Sequence, residues 1–115
     1  MTREDKIKKI ARHYGYEAQS RQCIEEMAEL TQAINKMWRN CFLCGFITLE
    51  DVQAEEDETT KFSDEKEYKN LVEEIADVQI MLWQMETLLN ADIDSIIESK
   101  LDRQLRRMEE ESCKE

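Results

Sequence analysis

The sequence predicts an all-α protein, a four-helix bundle. Three observations carry this. The 115 residues contain no proline and only two glycines, Gly15 and Gly45, so the turns that a sheet protein needs have almost no supply. Apolar residues recur at i, i+3 and i+4 over most of the chain. The hydrophobic share, 41%, is enough for one core, which makes the chain a single helical domain over residues 1–115.

The first helical pattern runs from Asp5 to Tyr14, capped by Thr2, with Ile7, Ile10 and Ala11 in register and Gly15 as its stop. The second spans Glu17 to Asn40. Residues 41–62 break the pattern with Gly45 and the run Glu55-Glu56-Asp57-Glu58, and read as a loop or lid; Thr48-x-x-Asp51 inside it offers a capping box for a short helix. Periodicity resumes from Ser63 to Leu89, through Leu71, Ile75, Val78, Leu82, Met85 and Leu89. Asn90-Ala91-Asp92 forms a turn with a capping residue. The last helix runs from Ile93 to Met108, and Glu109-Glu110-Glu111 and the tail are expected to fray.

Charge narrows the partners. Acidic residues number 27 against 16 basic ones, a formal net charge of -11, which disfavours nucleic acid and anionic membranes. No apolar run reaches the ~20 residues of a membrane span, and the N-terminus has no secretory apolar stretch, so the expected location is cytoplasmic. The four cysteines are then expected to be reduced thiols. Cys41-Phe42-Leu43-Cys44 has CxxC spacing but lacks a second pair to complete a zinc site, and Cys23 and Cys113 are too scattered to supply one. His13 reads as a residue of the surface or core edge.

Acidic pairs at i, i+3 occur as Glu26/Glu29, Glu55/Glu58, Asp64/Glu67 and Glu74/Asp77. What separates them is the face. Met27, Leu30, Ala33, Ile34, Met37 and Trp38 define an apolar sector on the second helix, and Glu26 projects between Ala33 and Met37 with Glu29 at the edge. The third helix repeats this, Glu74 projecting beside Met81 and Met85 with Asp77 at the border. Carboxylates on an apolar face are costly unless paired or coordinated. No Lys or Arg shares either sector, so a divalent cation on Glu26, Glu29, Glu74 and Asp77 is the simpler solution, with Mg²⁺ or Mn²⁺ favoured by an all-oxygen donor set. The bland alternative is that these acids reach water at the bundle edge.

Glu25-Glu26-Met27-Ala28-Glu29-Leu30 followed by Glu73-Glu74-Ile75-Ala76-Asp77-Val78 resembles the ExxE…ExxD signature of the MazG-like, all-α nucleoside triphosphate pyrophosphohydrolases. The resemblance extends to Tyr14-Gly15-Tyr16-Glu17-Ala18-Gln19 and to Lys100-Leu101-Asp102-Arg103, covering most of the chain outside residues 41–62. It implies hydrolysis of a (d)NTP to the monophosphate and pyrophosphate by metal-activated water, with Glu26, Glu29, Glu74 and Asp77 as catalytic Mg²⁺ ligands. Glu25 or Glu73 would act behind them, or one of the four would double as general base. It further implies that Lys100 and Arg103 contact phosphates, although Lys100, Arg103 and Arg107 also fit an ordinary basic stripe near a helix C-terminus. Gln104 stands where relatives often carry Asn.

Trp38 and Asn35 are candidates for stacking on and hydrogen bonding to the base, as are Gln19 and Gln22, although a Trp on an apolar stripe is more often core or a subunit contact. Ala76, Ile80 and Trp83 form a second apolar stripe that one facing helix cannot cover, and the resemblance implies a homodimer or homotetramer. The reading from a different class is a non-catalytic helical interaction module whose acidic face is solvated and meets a protein partner.

Overall fold

The structure, a computed structural model, describes residues 1–40 and 66–114. The described residues form three helices and no strand: α1 (Arg3–Asn40), α2 (Lys66–Leu89) and α3 (Asp94–Cys113). The expected loop at 41–62, its CxxC and the start of the third helix at Ser63 lie outside the described residues.

Each boundary has a local cause. At the start of α1 the Asp5 amide donates to Thr2 Oγ1 at 3.1 Å and the Thr2 amide donates to Asp5 Oδ2 at 3.2 Å, a reciprocal cap that satisfies two otherwise orphaned donors. The first two expected helices are one element broken at Gly15, whose φ of 83° and ψ of 171° are open to glycine alone. α2 ends in a Schellman motif: Asn90 takes φ 49°, its amide donates to Thr87 O at 3.2 Å, and the Ala91 amide donates to Glu86 O at 3.2 Å. Asp92, expected to cap the last helix, instead accepts the Ser95 hydroxyl at 3.4 Å, while Ile93 occupies the cap position without a side-chain bond. α3 continues through Glu109-Glu110-Glu111 to Cys113, where fraying was expected, because glutamate's intrinsic helix preference outweighs its poor fit to the dipole at that end.

Among the described elements, extended packing is between α1 and α2, and they run antiparallel, since Gln19 meets Gln84 while the later Glu26 and Glu29 meet the earlier Glu74. The seam uses Cys23, Ala33 and Met37 from α1 and Val78, Met81 and Gln84 from α2, all buried. Spacing by three and four residues along Gln19, Cys23, Glu26, Leu30, Ala33 and Met37 is that of a coiled-coil seam. The sequence places the centre of the apolar sector differently. Ile24, Met27, Ile34 and Trp38 on α1, and Ile75, Leu82 and Leu89 on α2, are exposed. The periodicity is shared by two adjacent stripes, and only one of them meets the partner helix.

Beyond Gly15 the N-terminal arm of α1 buries Ile7 and Ala11, and the Arg3 guanidinium lies 5.3 Å from the centroid of the Trp83 ring. α3 has no buried residue, and its Ile96, Ile97, Leu101 and Leu105 are exposed.

Candidate metal centre

The buried seam carries two carboxylates. Glu26 on α1 and Glu74 on α2 are half-buried, and Glu29 lies beside them with its side chain exposed. One carboxylate oxygen from each of the three lies within 4.8 Å of the others. Counting along the antiparallel helices from the Gln19–Gln84 bond brings Glu29 level with Glu74 and Glu26 level with Asp77.

Glu26 Oε1 accepts a hydrogen bond from Gln22 Nε2 at 2.9 Å, one helical turn earlier. Glu26 Oε2 and Glu74 Oε2 are buried and have no hydrogen-bond partner. An unpaired buried carboxylate oxygen is a costly feature that folded chains rarely retain. Glu29 feels the same crowding: the Glu26 charge above all, then desolvation, then the charge of Glu74, a hydrogen bond shared with Glu26 and the charge of Asp77 hold its carboxyl above the ordinary value of 4.5. Among the described residues, every charge acting on Glu29 is negative, and no Lys or Arg offsets it.

The donor set fits a hard divalent cation. Three carboxylate oxygens converging from two helices to within 4.8 Å of one another form the all-oxygen set that Mg²⁺ or Mn²⁺ would take. Two orphaned oxygens and uniformly negative surroundings are what a cation would resolve. Asp77 is exposed and its charge acts on Glu29, but its carboxylate is not among the oxygens that lie within 4.8 Å of one another, so the structure gathers three of the four expected acids.

Comparison with protein-family models, with curated proteins and with solved structures found no match to this chain.

The other candidate residues are not gathered around the carboxylates. Lys100 and Arg103 lie exposed on α3, and neither forms an ion pair among the described residues. Asn35 and Trp38 are exposed on α1, and Trp38 is half a helical rotation from Glu29 at about 100° per residue. Gln19 is not free to meet a base: it is buried and donates through Nε2 to Gln84 Oε1 at 2.6 Å. His13 is exposed and packs edge-on against Tyr14 with ring centroids 4.7 Å apart. Cys23 is a free thiol in the seam and Cys113 a free, exposed one.

A cleft of ≈ 380 Å³ lies away from the carboxylates, where the start of α1 meets the end of α2, lined by Ile7, Trp83, Thr87 and Ile93 among others. Two contacts were not anticipated from the sequence, the Gln22–Glu26 and Gln19–Gln84 bonds. The first has a signal, since Gln and Glu at i, i+4 meet on a helix surface. The second joins residues that no local pattern relates.

Proposed function

We propose that the protein is a Mg²⁺-dependent nucleoside triphosphate pyrophosphohydrolase of the MazG-like, all-α type, acting in the cytoplasm on a (d)NTP. The observation that carries this reading is the convergence of Glu26, Glu29 and Glu74 within 4.8 Å, with the Oε2 atoms of Glu26 and Glu74 buried and unpartnered. The ExxE…ExxD resemblance supplies the reaction, which adds water across the bond between the α- and β-phosphates and releases the monophosphate and pyrophosphate.

In this reading Glu26, Glu29, Glu74 and Asp77 hold the cation, with Mn²⁺ able to replace Mg²⁺. When bound, the metal would neutralise the polyphosphate and make water a better nucleophile at neutral pH. The chain's own contributions are positional. Gln22 fixes the Glu26 carboxylate through Oε1 and leaves Oε2 directed away from that bond. Lys100 and Arg103 would offset charge on the phosphates, and Trp38 and Asn35 would contact the base.

Because α3 stands clear of the carboxylates in a single chain, its basic residues approach them only when α3 packs. The exposed stripes on α1, α2 and α3 give that packing its driving force in a homodimer or homotetramer, completing a four-helix bundle around the acids.

The test is a Mn²⁺ titration followed by electron paramagnetic resonance, together with turnover measured with Mg²⁺ and with EDTA. Saturable Mn²⁺ binding displaced by Mg²⁺ supports the reading. A folded protein that binds neither ion returns the chain to the class of helical interaction modules.

A further inference from the structure

Gln19 and Gln84 lie 65 residues apart in sequence and share a 2.6 Å hydrogen bond inside the α1–α2 seam. Both are buried, Gln84 to 2% exposure, the lowest of any large side chain in the core. Gln84 Nε2 is in turn 3.6 Å from Met81 Sδ. A polar pair this deep gives helix packing no advantage over two apolar residues of the same volume. It does discriminate between registers, because a slipped register leaves an amide buried without a partner.

The rest of the seam discriminates poorly. Cys23, Ala33, Met37, Val78 and Met81 are small or, as methionines, conformationally adaptable, so sliding α1 against α2 by one turn would still bury apolar surface. The carboxylates would not survive the slide. One helical turn is about 5.4 Å, more than the 4.8 Å within which the ligand oxygens of Glu26, Glu29 and Glu74 lie. Gln19 precedes Glu26 by one heptad, and Gln84 follows Asp77 by one heptad. The amide pair therefore sits in the same antiparallel register as the acids, about 10.5 Å along the helices.

We propose that the Gln19–Gln84 bond is a positioning device, a register lock that holds the α1 carboxylates opposite those of α2 at cation-bridging distance. The inference rests on the metal reading given above. It assigns to two glutamines outside the ligand set the task of keeping that set assembled in the metal-free protein, where repulsion among Glu26, Glu29, Glu74 and Asp77 pushes the helices out of register.

The test compares the full chain with its Gln19→Leu/Gln84→Leu double variant, measuring Mn²⁺ affinity by electron paramagnetic resonance and the melting temperature of the metal-free protein. Removing both amides orphans neither, so the melting temperature is expected to hold or rise while Mn²⁺ affinity falls about ten-fold, as for other residues that support ligands from outside. A role in packing alone would move the melting temperature and leave the affinity unchanged, and unchanged affinity overturns the proposal. If the double variant does not fold, Gln19→Leu alone, which leaves Gln84 beside Met81, provides the same comparison: lowered affinity supports the lock and wild-type affinity overturns it. Wild-type protein that binds no Mn²⁺ overturns the metal reading itself, a result distinct from wild-type binding that the variants retain.

Discussion

Glu26 on α1 and Glu74 on α2 each bury one carboxylate oxygen, Oε2, that no hydrogen bond reaches. The two side chains come from different helices, yet with Glu29 they place ligand atoms within 4.8 Å of one another. Like charges held this close in a partly buried seam are unfavourable in the free chain. The arrangement gains stability when something positive enters it.

Replacing either orphaned acid should separate stability from function. Glu26→Gln and Glu74→Gln each remove one negative charge and keep the side-chain shape. The metal-free protein is expected to melt roughly 2–5 °C higher, in line with a gain of under about 1 kcal/mol, while turnover falls by roughly a hundred-fold or more. Differential scanning fluorimetry with EDTA and an assay of pyrophosphate release check the two halves. Wild-type turnover in either variant would remove that residue from the site.

Metal addition should act in the opposite sense. A ligand that binds only the folded chain stabilises it by mass action, about 2.7 kcal/mol at a concentration of 100 Kd. Mg²⁺ or Mn²⁺ is therefore expected to raise the melting temperature in proportion to the logarithm of its concentration, and excess EDTA to reverse it. A matching response to Na⁺ at equal ionic strength would mean screening alone, with no coordinated site.

Glu29 predicts a pH slope in the metal-free protein. Its folded-state pKa is raised above 4.5 chiefly by the Glu26 charge, with Glu74 and Asp77 contributing. A carboxyl with a raised folded pKa favours folding while protonated. Its relative stabilisation is thus fully present near and below about pH 4.5 and is lost as pH rises through the raised value. Asp5 is held below its ordinary 3.8 by the Thr2 amide and stays ionised across that window, so it does not mask the effect. Chemical denaturation between pH 4.5 and 7 should show stability declining with pH in wild type and a flatter profile in Glu29→Gln. Parallel profiles would contradict the assignment.

The break in α1 is a backbone matter. A Cβ at Gly15 would meet nothing within 4 Å, so the cost of Gly15→Ala is conformational, at φ 83°. A loss of about 1–3 kcal/mol is expected. If α1 straightens instead, circular dichroism will show helix gained while Ile7 and Ala11 lose their burial, which increased proteolysis of the N-terminal arm would report.

Much of this architecture is legible in the sequence because its signals are local. Thr2 with Asp5, Gly15 and Asn90 mark their boundaries through chemistry that acts within one turn. The acids Glu26 and Glu74 stand out because they interrupt an apolar periodicity. What is not legible is which stripe wins. Ala33 and Met37 belong to the expected sector and are buried, and Cys23 joins them, whereas Ile24, Met27, Ile34 and Trp38 score as core by hydropathy and stay exposed because the facing helix covers only one side of the sector. The Gln19–Gln84 bond is invisible for a related reason: it depends on antiparallel register, a property of two helices that neither sequence segment carries alone. Lys100 and Arg103 have a legible stripe, but where a helix stripe points depends on what α3 packs against.

That exposed helix is itself testable. If the proposed homo-oligomer forms, Leu101→Asp on α3 is expected to dissociate it into monomers with little change in helix content, read by size-exclusion chromatography with light scattering. A wild-type chain that is monomeric at tens of micromolar would leave the stripes on α1, α2 and α3 unexplained by self-association.

The most direct test of the central claim follows the phosphates. Wild-type protein and Glu74→Gln are incubated with a panel of NTPs and dNTPs in ¹⁸O-water, with Mg²⁺ or with EDTA, and the products are resolved by ³¹P NMR. The account predicts Mg²⁺-dependent formation of monophosphate and pyrophosphate from at least one nucleotide class, absent with EDTA and in the variant. Stable triphosphates across the panel, in folded protein shown to have bound Mn²⁺, would contradict it.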